Sequence, residues 1–165
     1  MIRFATPADA DRISEIHVAT WRAAYLGIVP DSFLASMSVE EHLARWRSRI
    51  EANPKLVFVH ERDGQIDGWV SMGAGRDDDA NSDGEVYALY VAAESWRKGT
   101  GRALMANAEK ELWNRGVSRI VLWVLERNDS ARFFYESIGY SPDGRTKQIT
   151  IGDTVLIELR YEKRK

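Results

Sequence analysis

The 165-residue chain contains no cysteine. Disulfides, thiolate metal sites and a cysteine nucleophile are therefore excluded. Its three histidines are far apart in sequence, so no metal-ligand spacing is present and no metal is expected. No apolar run approaches the roughly 20 residues of a membrane helix. The opening MIRFATPADAD lacks the basic-then-apolar order of a secretion signal. Nor is there an excess of one charge: 23 Lys and Arg against 25 Asp and Glu leave a net −2, which argues against binding nucleic acid through overall charge. Repeats, linkers and low-complexity stretches are also missing. With 44% hydrophobic and 29% charged residues, the composition is that of a globular protein. The expectation is one cytoplasmic domain over residues 1–165, with neither membrane nor nucleic acid as partner.

The pattern along the chain mixes strands and helices. IRF reads as a short strand. Thr6, Pro7 and Asp9 then open a helix running to about Tyr25. Gly27 and Pro30 break it. A short helix over Asp31–Met37 follows, and a capping box at Ser38–Glu41 starts a longer one that ends at Asn53-Pro54. KLVFVHER and QIDGWVSMGA form a hairpin around Asp63-Gly64. The aspartate-rich RDDDANSDG reads as a polar loop too charged to pack inside. EVYALYVA is a strand, Leu104, Ala108 and Leu112 share a helical face, and SRIVLWVLE is a strand buried on both faces. NDSARFFYESIG is a helix capped by Asn128 and stopped by Gly139, and two strands meeting near Gly152-Asp153 close the chain. This order predicts an α/β (α+β) architecture: one mixed, largely antiparallel sheet of six to seven strands flanked by four to five helices.

One stretch carries chemistry. SWRKGTGR, residues 95–102, places two glycines and three basic residues between a strand and a helix. Glycines let the backbone approach a ligand, and the helix start offers unpaired N–H groups and a positive dipole end to an anion. The alternative is a glycine-assisted turn with solvated basic residues. Neither the Walker pattern nor the dinucleotide GxGxxG is present, so the stretch alone says phosphate-like anion and no more.

From Glu85 to Tyr140 the chain resembles the GNAT superfamily of acetyl-CoA-dependent N-acetyltransferases. The resemblance rests on LYVAAESWRKGTGRAL and NDSARFFYESIGY, at compatible spacing. It implies a donor site in which the N–H groups of Arg97, Lys98, Gly99, Thr100, Gly101 and Arg102 hold the pyrophosphate of acetyl-CoA. Leu89, Tyr90 and Val91 would pair with the pantetheine amides as a pseudo-strand, and Asn128, Ala131 and Phe134 would complete the contact. Asn128 is equally an ordinary helix cap. Trp96 stands where the family usually carries Gln or Arg, which leaves its side-chain contacts to the cofactor open.

Acetyl transfer to an amine requires deprotonation, a donor to the carbonyl oxygen, alignment and protonation of the leaving thiolate. Without cysteine, direct attack in a ternary complex is the simpler route. Tyr135 occupies the position of the family's tyrosine acid, although Phe133, Phe134 and Tyr135 also read as an aromatic core stripe. Glu85 is the first choice for the base, with Asp83, Tyr87 and His17 as rivals; a solvated strand-start carboxylate is the alternative. Trp21, Tyr25, Trp69, Ser71, Tyr87 and Trp123 are candidates for the acceptor wall, with core packing the competing role, and Trp46 and Trp113 are assigned to the core. The aspartate-rich loop either attracts a cationic amine or is simply solvated. The implied function is transfer of an acetyl group to a primary amine of a small molecule or peptide, in a family where homodimers are common. A non-catalytic acyl-CoA-binding module is the alternative, and a nucleotide-binding regulator rests on the glycine loop alone.

Overall fold

The computed structural model describes residues 1–165. Seven strands form one sheet in the order β1-β2-β3-β4-β5-β7-β6: β1 (Ile2–Phe4), β2 (Val57–Arg62), β3 (Gln65–Ala74), β4 (Gly84–Val91), β5 (Arg119–Leu125), β6 (Ser141–Ile151) and β7 (Thr154–Arg164). Only β4 and β5 are parallel; every other neighbour is antiparallel. Five α-helices cover the two faces: α1 (Ala10–Ala24), α2 (Asp31–Ser36), α3 (Val39–Ala52), α4 (Thr100–Asn114) and α5 (Asp129–Ser137). The expected mixed, largely antiparallel sheet with its helices is what the chain adopts. No helix is long and apolar enough to cross a membrane.

Local chemistry sets the element ends. Asp63 (φ 52°) and Gly64 (φ 77°) form the tight turn between β2 and β3, as an Asp-Gly pair favours. The Ser38 hydroxyl accepts the Glu41 N–H at 3.3 Å and donates to Glu40 at 2.8 Å, so only one half of the expected capping box is made. Asn128 Oδ1 accepts the Ala131 N–H at 3.1 Å and starts α5.

Three apolar clusters hold the layers. The largest joins α4 to the sheet through Val70, Met72, Val86, Leu104, Ala108, Leu112, Leu122 and Tyr161. On the other face α1 and α3 pack Ile13, Ile16, Trp46 and Ile50 onto Val57, Val59 and Trp69. A smaller cluster of Val29, Leu34, Leu125 and Leu156 docks the α1–α2 segment on the β6–β7 hairpin. Trp46 is in the core, as expected; Trp69, a candidate for the acceptor wall, is fully buried there too.

The aspartate-rich loop between β3 and β4 departs from expectation. It is neither loosely solvated nor free for a cation. Arg160 on β7, only 3% exposed, donates to Asp77 at 3.0 Å, to Asp79 at 2.7 and 2.9 Å, and to Asp143 at 2.7 Å. Arg119 adds ion pairs to Asp79, Asp83 and Asp143. Charges packed this closely persist because each carboxylate has its guanidinium. Replacing Arg160 by Ala removes four hydrogen bonds to Asp77, Asp79 and Asp143 and leaves Asp79 and Asp143 only longer ion pairs, so a lower urea midpoint is expected at neutral pH. The Arg160 bond holds the Asp79 carboxyl down at about 2, against an ordinary 3.8. A depressed folded-state value stabilises above the ordinary one and is lost as pH falls through the depressed one. The gap between wild type and R160A therefore narrows as pH drops from about 4 to about 2.

Candidate active site

The parallel pairing of β4 with β5 lasts three residues, Gly84 with Ile120, Glu85 with Val121 and Val86 with Leu122. Beyond it the strands part. β4 stays bonded to β3 as far as Val91, and β5 to β7 as far as Leu125. Each therefore turns an unpaired edge toward a V-shaped gap, the kind of edge that accepts an extended amide-bearing ligand as an added strand.

A bulge at Tyr87 accompanies the parting. The β3–β4 register passes from Met72 with Val86 to Ser71 with Ala88, leaving Tyr87 as the extra residue. Side-chain parity flips there. Val86, Leu89 and Val91 join the cluster under α4, whereas Ala88 and Tyr90 join the one under α1.

At the mouth of the gap lies the loop leading into α4. Arg97 (φ 59°) and Gly99 (φ 85°) adopt left-handed backbone, a turn that aims successive N–H groups the same way. The N–H groups of Arg97, Lys98, Gly99, Thr100, Gly101 and Arg102 donate to no acceptor in the protein. Six consecutive free donors at a helix start form an anion cradle. Trp96 is 42% exposed, and its indole N–H donates to the Val91 carbonyl at 2.6 Å. Thr20 Oγ1 donates to the same oxygen at 3.2 Å. That carbonyl is fully used within the protein, so of Leu89, Tyr90 and Val91 the last has no acceptor left to offer a ligand.

α5 closes the gap from above. Phe134 packs so near the loop that a Cβ on Gly101 would stand 3.4 Å from its ring and 3.8 Å from Val91. Ala131, Phe134 and Tyr135 pack against the cluster under α4. Phe133, by contrast, is 75% exposed and belongs to no core stripe. Burial, with neighbouring Tyr25, raises the Tyr135 phenol and keeps its proton on. Tyr25 and Tyr90 are raised by burial too, and lie beside each other. Trp21 Nε1 donates to the Tyr90 hydroxyl at 2.8 Å. Three protonated phenols from α1, β4 and α5 thus gather at the gap. Tyr25 was read as acceptor wall and Tyr90 as pseudo-strand backbone; their association is visible only in three dimensions.

The base candidates fare differently. Glu85 is 1% exposed; its carboxylate accepts the Arg76 N–H at 2.9 Å and the Arg76 guanidinium at 2.5–3.2 Å. Clamped by a cation on both oxygens, it is a strut between β4 and the aspartate loop, which corrects its reading as the base. Asp83 pairs with Arg119. Tyr87 donates to the Ala74 carbonyl at 2.7 Å under the Arg76 guanidinium. Trp123 donates to Asp77 at 3.2 Å, with the Lys147 ammonium 4.0 Å above its ring. Ser71 is buried, and its hydroxyl has no partner. Glu158 was missed by sequence reading. It sits beside Leu125, where β5 ends, pairs with Lys147 at 3.3 Å and contributes to raising Tyr25. A glutamate interrupting the apolar run TVLIELRYE was the available signal.

The GNAT acetyltransferase family model matches residues 11–140. The chain belongs to the GNAT family. As a member it is an acetyl-CoA-dependent N-acetyltransferase. It is 37% identical to the uncharacterized N-acetyltransferase YuaI of Bacillus subtilis, over 86% of this chain and 79% of that one. A probable N-acetyltransferase of Mycobacterium tuberculosis is 32% identical, over 88% and 82%. Among solved structures, the PaiA N-acetyltransferase of Thermoplasma acidophilum in complex with coenzyme A superposes with a TM-score of 0.79 at 21% identity, covering 100% of this chain and 98% of that one. The YncA protein of Salmonella typhimurium with acetyl-CoA gives 0.74 at 25%, covering 99% and 92%.

Behind the gap of this acetyltransferase, His17 stacks on His42 at 4.2 Å and accepts from Trp46 Nε1 at 3.4 Å. Burial, then His42, Arg45 and Arg49, push its imidazole down from 6.5 to about 3, so it is a neutral acceptor rather than a base near pH 7. The unfolded chain takes up this proton below 6.5 while the folded one refuses it until about 3. Stability is therefore complete above 6.5 and falls as the pH approaches 3. NMR should show a neutral His17 down to about pH 4, and His17→Phe should flatten the loss of stability between pH 6.5 and about 4.

Proposed function

We propose that residues 1–165 form one acetyltransferase domain, with its motif core at 85–140, which moves the acetyl group of acetyl-CoA directly to the primary amine of a small molecule. The observation that carries this reading is the gap between β4 and β5 with six free N–H donors at its mouth. The pyrophosphate is held by Arg97–Arg102, with Lys98 and Arg102 adding charge, and the pantetheine arm lies along β4 at Leu89 and Tyr90. Asn128, Ala131 and Phe134 line the other side from α5. The thioester then lies beside Tyr135.

Attack by a neutral amine gives a tetrahedral intermediate whose nitrogen gives up its extra proton to water, and collapse then breaks the C–S bond and releases thiolate. Tyr135 keeps its proton near neutrality, so it hydrogen-bonds the sulfur as charge develops and supplies the proton to the thiolate. Water returns a proton to the phenolate once Tyr135 has protonated the thiolate. Tyr25 and Tyr90 hold Tyr135 in a polar setting within an otherwise apolar wall. Glu158, near Tyr25 and paired with Lys147 at 3.3 Å, is the carboxylate at this end of the gap that an ammonium group on the acceptor would meet in place of Lys147. Packing of the α1–α2 segment on the β6–β7 hairpin, with Phe33 against Gly152, closes the cleft end where a peptide would have to run. That favours a small acceptor. The setting of the reaction is taken to be the cytoplasm, where acetyl-CoA is made and used.

CoA release with a panel of small primary amines tests the activity. Tight CoA binding without turnover across amines, amino acids and polyamines would favour the non-catalytic module instead. Tyr135→Phe should lower kcat by about a hundredfold while CoA affinity stays within about twofold, since the phenol acts on the leaving sulfur only. Glu85→Gln should lower the unfolding midpoint while the shape of the pH–rate profile is kept; loss of the rise in rate with pH would support Glu85 as the base.

A further inference from the structure

Beneath the pyrophosphate loop lies a carboxylate that acetyl transfer does not use. Asp67, on β3, is 7% exposed and flanked by apolar Ile66 and by Gly68-Trp69. Its Oδ1 meets His60 Nδ1 at 2.5 Å. Its Oδ2 accepts the hydroxyl of Thr100, the first residue of α4, at 3.3 Å, and lies 3.5 Å from Arg62 Nε. Arg62 also donates to the Thr100 hydroxyl at 3.3 Å. On the other side of the loop, the Asp67 carbonyl accepts the Ala92 N–H at 2.9 Å. The next residue has no side chain to intervene. A Cβ on Gly68 would stand 3.0 Å from Thr100 Cγ2 and 3.1 Å from Leu104 Cδ1, so the first turn of α4 rests directly on β3.

The carboxylate therefore holds the residue after the loop, while the backbone carbonyl of the same residue holds Ala92 before it. An acidic group near an anion site is unfavourable unless its charge is balanced, and the Arg62 guanidinium lies 3.5 Å from the same oxygen that Thr100 contacts. Burying a carboxylate costs free energy that an apolar side chain at the same place would avoid. What it supplies instead is acceptor capacity for several donors at once. We infer that Asp67 is a positioning residue for the acetyl-CoA donor: through the Thr100 hydroxyl it fixes the first residue of α4 at the loop's end, so that the N–H groups of Arg97–Arg102 converge on one pyrophosphate. The inference rests on the reading of this loop given under Proposed function.

Calorimetry with CoA on Asp67→Ala, Asp67→Asn, Thr100→Val and the Asp67→Ala/Thr100→Val double variant tests it. Asp67→Ala should weaken CoA binding about tenfold, and Asp67→Asn, which keeps an acceptor oxygen, should recover most of that loss. Because Asp67 acts through Thr100, the double variant should bind within about twofold of Asp67→Ala alone. Wild-type affinity in Asp67→Ala, or losses that multiply in the double variant, would overturn the proposal. Should Asp67→Ala not fold, the near-isosteric Thr100→Val decides, since unchanged CoA affinity there also overturns it. A wild-type protein that binds no CoA is a different result: it removes the pyrophosphate reading itself, and this inference with it.

Discussion

The parting of β4 from β5 after three paired residues is the constraint on which the rest depends. A parallel pair that simply continued would satisfy its own backbone and leave nothing for a ligand. Here β4 remains anchored to β3, and β5 to β7, so the sheet stays intact on both sides of an opening. The bulge at Tyr87 makes the opening asymmetric. By flipping side-chain parity, it sends Leu89 and Val91 toward α4 and Tyr90 toward α1.

Around that gap the polar groups divide into those spent on structure and those left for chemistry. Glu85, Asp77, Asp79 and Asp83 are all neutralised by Arg76, Arg160 and Arg119, and they fix the loop that borders the acceptor side. His17 is neutral and bonded to Trp46. What stays available is the set of loop N–H groups and three protonated phenols. Trp96 gains a structural role as well. Its indole N–H ties the loop's start to the end of β4, which a solvated Gln or Arg would not do with the same rigid ring.

Much of the fold was legible because its signals are local. The Asp-Gly turn, the Asn128 cap, the face Leu104–Ala108–Leu112 and the doubly buried β5 each depend on neighbours within one or two turns of chain. The donor loop was legible for the same reason: the glycines, the free N–H groups and the helix they open are contiguous. The pairing of Glu85 was not legible, because it has the same sequence appearance whether it faces solvent or Arg76. The aspartate loop was misread because Arg160 and Arg119, its partners, lie in strands far along the chain.

The sequence by itself therefore determined the elements, the family and the anion-binding loop, all written in short-range patterns of residue type. Tertiary structure alone decided which charges are cancelled and which remain reactive. Arg160 reaches Asp79 across 81 positions of sequence, Tyr25 reaches Tyr90 from the end of a helix, and Asp67 meets Thr100 from a strand that precedes it by 33 residues. Periodicity records which face a side chain occupies and never what stands opposite. A charged or phenolic group takes its chemistry from that opposite neighbour.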